Sequence, residues 1–324
     1  VYKAYQSSMD RNVAIKVLPR QLAESEEFFK RFQQEARIVA KLEHPYILPV
    51  FDYGEENGIA YFVMRYLEAG TLKDKMNAGQ LSLDEIDHIF TQLTDALGYA
   101  HNHGVVHRDL KPANVLVDLS GNLFLTDFGV AKVLESASPR LTQTAAIMGT
   151  PAYISPEQVA SLPVDRRSDI YSLGVILYEM VTGRVPFVAD TPLAVILKHL
   201  NDPLPPPSVV KPDISPVIEQ VIVKALAKDP DDRFDTTVDF VSAWRSALND
   251  IQAMGLKTKK ISNYAPYQIS PAAQTPRTPD STTQAVAKSG RPALSLAIGC
   301  VAVFCLVGAT IGTFGLASRF FSSP

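Results

Sequence analysis

The sequence predicts an α+β fold in two lobes, a small strand-rich lobe followed by a larger helical one. Three observations carry that expectation. Within the first 66 residues, two β-branched or apolar runs flank a single amphipathic segment. From residue 70 the apolar spacing changes to that of helices. After residue 250 the composition changes twice, first to a polar stretch and then to an uncharged apolar one.

In the small lobe, Val13-Ala14-Ile15-Lys16-Val17-Leu18 has the alternation and branching of a strand. Ser25 to Leu42 reads as a helix, with Phe28, Phe32, Ile38, Val39 and Leu42 on or near one face. Tyr61-Phe62-Val63-Met64 is a further apolar strand. In the large lobe, Ser82-Leu83-Asp84-Glu85 is a capping box. Behind it Ile86, Ile89, Phe90, Leu93, Leu97 and Ala100 form one apolar stripe that ends before Gly104. Asn114 to Val117 and Leu123 to Thr126 read as a hairpin around Ser120-Gly121-Asn122. Ser168 to Val181 is a strongly apolar helix closed by Gly183. A proline-rich loop spans Pro203 to Pro216, and two more helices end near Asp250.

Residues 251–292 are rich in Ser, Thr, Pro, Gln and Ala and poor in large apolar groups. They are expected to form a disordered juxtamembrane linker, since burial cannot offset their ordering entropy. Leu294 to Ala317 is 24 residues without a charge. As a helix it would be about 36 Å long, enough to cross a hydrocarbon core of about 30 Å. A single transmembrane helix over 293–318 and a short tail over 319–324 are therefore expected. Lys257, Lys259, Lys260, Arg277, Lys288 and Arg291 precede the span and only Arg319 follows. That bias places residues 1–293 in the cytoplasm, against the plasma membrane. Gly308 and Gly312, with Ala309 and Thr313, make a small-residue face suited to close contact in a homodimer.

The formal net charge of −3 gives no electrostatic case for nucleic acid. The two cysteines, Cys300 and Cys305, both lie in the apolar span, which excludes a disulfide framework or a cysteine zinc site before it.

The chemistry concentrates in His107-Arg108-Asp109-Leu110-Lys111-Pro112-Ala113-Asn114, followed by Asp127-Phe128-Gly129. A carboxylate that can position a hydroxyl, a lysine that can hold a phosphate, and an Asn and an Asp with hard oxygens are what phosphoryl transfer needs. Val-Ala-Ile-Lys at 13–16, a helix glutamate at Glu35, Ser155-Pro156-Glu157 and the Ser168-to-Gly174 segment complete an ordered set. Over about residues 1–250 the chain resembles a Hanks-type, eukaryotic-like serine/threonine protein kinase of the bacterial transmembrane kind.

That resemblance implies the bilobal protein-kinase fold, with 1–66 as small lobe and 67–250 as large lobe. It also implies that the first strand and the glycine-rich phosphate-covering loop would lie before Val1. It gives Lys16 the α- and β-phosphates of ATP and an ion pair with Glu35. Asp109 becomes the base or hydroxyl-positioning group, Lys111 the neutraliser of the transferring γ-phosphate, and Asn114 and Asp127 the ligands of Mg2+ or Mn2+. Lys111 is the serine/threonine form of this motif. Val1, Ala14, Met64 and Leu116 would line the adenine slot, Arg65, Tyr66 and Leu67 would be the hinge, and Glu68 would reach the ribose. His107, Val39, Val50 and Phe128 match an apolar spine anchored by Asp169 through the amides near His107 and Arg108. Glu157 should pair with Arg233.

Asp127 to Glu157 would bracket an activation segment. Thr142 and Thr144 resemble its autophosphorylation sites, with Arg108 as recipient of the added charge. Thr150 would contact Asp109 and Lys111. The implied partners are protein substrates bearing Ser or Thr, the lipid bilayer and a second copy of the chain. A membrane-anchored pseudokinase acting as a binding scaffold is the alternative. It predicts loss of Lys16, Asp109 or Asp127, and all three are present.

Overall fold

A computed structural model describes residues 1–18, 26–68, 70–128, 151–253 and 255. The chain divides into two units, Val1–Ile269 and Ser270–Pro324. The second unit, and with it the expected span over 293–318, lies outside the described residues. So do nearly all of the expected linker and Thr142, Thr144 and Thr150. Among the described residues no helix is long and apolar enough to cross a membrane.

The first unit opens with an antiparallel sheet of β1 (Tyr2–Gln6), β2 (Arg11–Val17), β3 (Val50–Glu56) and β4 (Ile59–Arg65) in the order β1-β2-β4-β3. Helix α1 (Glu26–Val39) packs on β3. Its core is small: Leu18, Phe32, Ala36, Leu48, Ala60, Phe62, Met64 and Phe124 are buried together. Phe32 meets the Phe62 ring edge-on at 5.0 Å. The expected strand around Lys16 is β2, and Tyr61 to Met64 lies in β4.

The helix expected to reach Leu42 ends at Val39. Its last residues leave the helix through tighter turns, Lys41 N to Ile38 O and Leu42 N to Val39 O. Leu42 is buried nonetheless, whereas Ile38, expected on the apolar face, is exposed. Strand β3 was not legible, because its sequence VFDYGEE is mostly polar and lies at a sheet edge.

The large lobe begins with β5 (Gly70–Thr71) and α2 (Leu72–Ala78), capped by the Thr71 and Asp74 side chains. Helix α3 (Leu83–Asn102) starts at the capping box read from the sequence. Ser82 accepts from Glu85 N, and Ser82 N donates to the Glu85 carboxylate. The hairpin is β6 (Val115–Val117) and β7 (Leu123–Leu125). It joins β5 in a second, three-stranded sheet.

There follow α4 (Pro156–Val159), α5 (Arg166–Thr182), α6 (Pro192–Asn201), α7 (Pro207–Val210), α8 (Pro216–Ala225) and α9 (Thr237–Ala253). The short α7 interrupts the proline-rich stretch expected to be loop. Its first helical residue, Pro207, has no N–H to lose.

Helix α5 is the axis of this lobe. Every residue from Ser168 to Thr182 is buried, so the helix is covered all round rather than on one stripe, and its polar side chains, Asp169 and Glu179 among them, find partners inside the lobe. It packs on α3 and α8. Gly174 permits the approach to α8, since a Cβ there would sit 2.9 Å from the Ala225 methyl. Gly183 closes α5 in the left-handed region, φ 85°, with its N–H on Glu179 O. At the far end of α3, Phe90, Phe240 and Trp244 form an aromatic cluster, and Trp244 Nε1 donates to Asp87 Oδ1.

Candidate active site

The loop between α3 and β6 carries the expected chemistry. It is shaped by a buried carboxylate from the central helix. Asp169, on α5, accepts the backbone N–H groups of His107 at 2.8 Å and Arg108 at 2.9 Å. It also meets His101 Nε2 at 2.7 Å, a partner that sequence reasoning missed. Burial opposes the Asp169 charge. The His101 and His107 contacts outweigh it and hold the carboxyl below the usual range.

His107 is fully buried. Asp109 N donates to His107 Nδ1 at 3.3 Å, so the imidazole proton lies on Nε2 and is donated to Thr126 O at 2.8 Å. The His107 ring stands 4.7 Å from Phe128. Val39 and Phe128 are buried and Val50 packs beside them. Two residues of the site take left-handed backbone, Arg108 at φ 68° and Asp127 at φ 72°. Such strain persists where the surroundings over-determine it.

Asp109, Lys111 and Asn114 come together. Lys111 Nζ lies 2.6 Å from Asp109 Oδ2, and Asn114 Nδ2 donates to the same oxygen at 2.9 Å and to Asp109 O at 2.8 Å. The turn Pro112–Asn114 brings Asn114 back under Asp109. With its amide nitrogen committed to Asp109, Asn114 keeps Oδ1 for a cation. Thr126 N donates to Asn114 O at 3.0 Å, which sets Asn114 beside the residue before Asp127. An Asn amide oxygen and an Asp carboxylate are hard donors, and they suit Mg2+ or Mn2+.

From the other lobe, Lys16 Nζ reaches Asp127 Oδ1 at 2.6 Å. Among the described residues that is the ion pair of Lys16, and the expected pair with Glu35 is not found. Glu35 is half-buried on α1. Lys16, Val39, Val50, Met64, Asp127 and Phe128 line a narrow cleft between the lobes.

Ala14 sits opposite Met64 in the strand register. Ala14, Met64, Leu67 and Leu116 share the small lobe's apolar cluster, as an aromatic base would require. Arg65 is exposed, its guanidinium 5.4 Å from the Phe124 ring, and Tyr66 lies under Lys3. Glu68 is exposed and 3.6 Å from Lys3, a pairing of little energetic weight. Val1 is exposed at the start of the sheet.

Behind the site, Glu157 and Arg233 form the expected pair. Two parallel contacts of 2.8 Å join them, both side chains nearly inaccessible. Burial works against the Glu157 charge, but Arg233 and the Ser168 hydroxyl hold its pKa down. A second anchor was not legible in the sequence. Glu179 of α5 accepts from Tyr153 Oη at 2.6 Å and from Lys73 Nζ at 2.8 Å. Lys73 and Glu179 are 106 residues apart, and no local pattern connects them.

A protein kinase domain model matches residues 1–244. The chain belongs to the protein kinase family. This kinase domain is 41% identical over 244 residues to the serine/threonine-protein kinase PknB of Mycolicibacterium smegmatis, covering 74% of this chain and 39% of that one. It is 40% identical over 250 residues to PrkC of Bacillus subtilis, covering 77% and 38%. Among solved structures it is similar to the PknI kinase domain of Mycobacterium tuberculosis. That match has a TM-score of 0.61 and 31% identity, covering 76% of this chain and 90% of that one. The chain thus spans about two fifths of the length of these curated relatives.

Proposed function

We propose that the chain is a serine/threonine protein kinase that moves the γ-phosphoryl group of ATP to Ser or Thr hydroxyls of proteins. The observation that carries this reading is the convergence of Lys111 and Asn114 on one carboxylate oxygen of Asp109, with Lys16 and Asp127 paired across the cleft. Asp109 holds the substrate hydroxyl and takes its proton. The substrate oxygen bonds to the γ-phosphorus as the bond to the bridging oxygen breaks, and ADP leaves with that electron pair. Lys111 neutralises the transferring group. Lys16 exchanges Asp127 for the α- and β-phosphates, and Asn114 Oδ1 and Asp127 would hold the cation. When bound, Mg2+ or Mn2+ neutralises phosphate charge.

The reading extends to location and control. The uncharged stretch 294–317 and the basic residues before it support single-pass anchoring in the plasma membrane, with the kinase domain in the cytoplasm. Thr142 and Thr144 are proposed autophosphorylation sites, reached from a second copy in a homodimer. Arg108 is the proposed recipient of the added charge.

The test is transfer from radiolabelled ATP to a Ser/Thr peptide. Asp109→Asn should lower turnover by about 10²- to 10⁴-fold. Equal turnover in wild type and variant would remove Asp109 from the reaction. Nucleotide binding without any transfer by the wild type would favour the scaffold reading. Thr142→Ala with Thr144→Ala should lower turnover severalfold, and unchanged kinetics would refute the switch.

A further inference from the structure

The peptide unit joining Arg108 to Asp109 is held at both edges, and one of the two holders lies outside the catalytic loop. A peptide unit is planar, so the Arg108 carbonyl oxygen and the Asp109 N–H turn together. The N–H is fixed by His107 Nδ1 at 3.3 Å. The oxygen accepts from Gln158 Nε2 at 2.6 Å. Gln158 is in α4, 50 residues away.

The orientation of this amide is settled by its other end. Gln158 Oε1 accepts from Ser155 N at 3.1 Å and from Ser155 Oγ at 3.0 Å. A flipped amide would set its NH2 against the Ser155 N–H and its oxygen against a carbonyl. The base of Gln158 is also rigid. Ser155 is fully buried, and the preceding Glu157 is clamped by Arg233. Arg108 itself has left-handed backbone, φ 68°, and its N–H is tied to Asp169. The loop therefore needs a restraint on the carbonyl side as well, or the plane can swing and carry Asp109 with it.

We infer that Gln158 is a positioning residue for Asp109, coupling the 151–159 segment to the catalytic loop through the Arg108 carbonyl. It touches neither nucleotide nor substrate. Its function is to hold the plane from which the Asp109 carboxylate is presented to Lys111 and Asn114. This inference rests on the kinase reading above.

The test uses the full chain with Gln158→Glu and Gln158→Ala. At neutral pH the introduced carboxylate can still accept from Ser155 but cannot donate to Arg108 O. Peptide turnover at saturating ATP should fall about tenfold in both variants, because small misplacements of a catalytic group are costly in rate. The KM for ATP should stay within about twofold, since the groups that hold nucleotide are untouched. The distinguishing readout is pH. A half-buried carboxyl facing a carbonyl oxygen is easier to protonate than usual. Once protonated it donates to Arg108 O in place of the amide. The ratio of Gln158→Glu to wild-type turnover should therefore climb as pH falls from about 8 to about 5.5.

Turnover of Gln158→Glu within about twofold of wild type overturns the inference. So does a loss matched by weaker ATP binding with a flat pH ratio, which is general damage rather than positioning. If Gln158→Ala does not fold, the isosteric Gln158→Glu still decides. A wild-type chain that transfers no phosphate overturns the kinase reading and this inference with it. An active wild type with an equally active Gln158→Glu overturns this inference alone.

Discussion

Replacing Arg233 with alanine should destabilise the kinase domain more than almost any other single change behind the site. The guanidinium makes five hydrogen bonds: two to the Glu157 carboxylate and one each to the carbonyls of Ala227, Arg167 and Lys228. It also lies 4.8 Å from the Tyr171 ring. Arg233 and Glu157 are each only 4% exposed. Truncation leaves a buried carboxylate supported by the Ser168 hydroxyl, and removes the Arg233 donors from three carbonyls. Breaking one side of such a pair costs about 3–5 kcal/mol. For a domain of this size each kcal/mol moves the thermal midpoint by about 2–4 °C, so the drop should be about 6–20 °C.

The same physics predicts a rescue. Desolvating two charges offsets most of their attraction, so an apolar pair of similar volume stabilises about as well. Arg233→Met with Glu157→Leu should melt above either single variant. Thermal unfolding followed by circular dichroism measures wild type, Arg233→Ala, the two single variants of the apolar pair and the double variant. A midpoint for Arg233→Ala within about 2 °C of wild type would refute the reasoning, as would a double variant whose loss equals the sum of the singles.

Asp169→Asn keeps size but loses the charge that accepts from His107, Arg108 and His101, so stability at neutral pH should fall by about 3–5 kcal/mol. The folded pKa of Asp169 is depressed, so its contribution is complete above the unfolded carboxylate value and fades as pH falls through the folded one. The gap between variant and wild type in urea midpoints should therefore narrow below about pH 4, and a constant gap would count against the assignment. Lys16→Met should cut turnover by about 10²-fold or more while leaving the thermal midpoint nearly unchanged. Its ion pair with Asp127 is partly exposed and worth little to folding, so a large midpoint shift would give Lys16 a structural role instead. Gly183→Ala places a side chain at φ 85° and should cost about 1–2 kcal/mol in urea unfolding; an unchanged midpoint would show that α5 does not depend on that cap.

Much of this protein was written in short sequence windows. The strand at Lys16, the Ser82 capping box, the stripe along α3 and the largely apolar α5 each come from the residues within one element, where local pattern sets what is buried. The set from Val13 through Asp127 likewise pointed to a candidate site, and the structure brings Lys111 and Asn114 onto Asp109 and Lys16 onto Asp127. What no window contains is the closing of contacts over long separations. Lys16 resting on Asp127, Lys73 on Glu179, His101 on Asp169 and Gln158 on the Arg108 carbonyl each join elements that meet only after the helices pack around α5. The sequence by itself determined which residue types the proposed chemistry would draw on. Tertiary structure alone decided how they are aimed, because a side chain's direction depends on buried donors and acceptors that must find partners wherever the fold brings them.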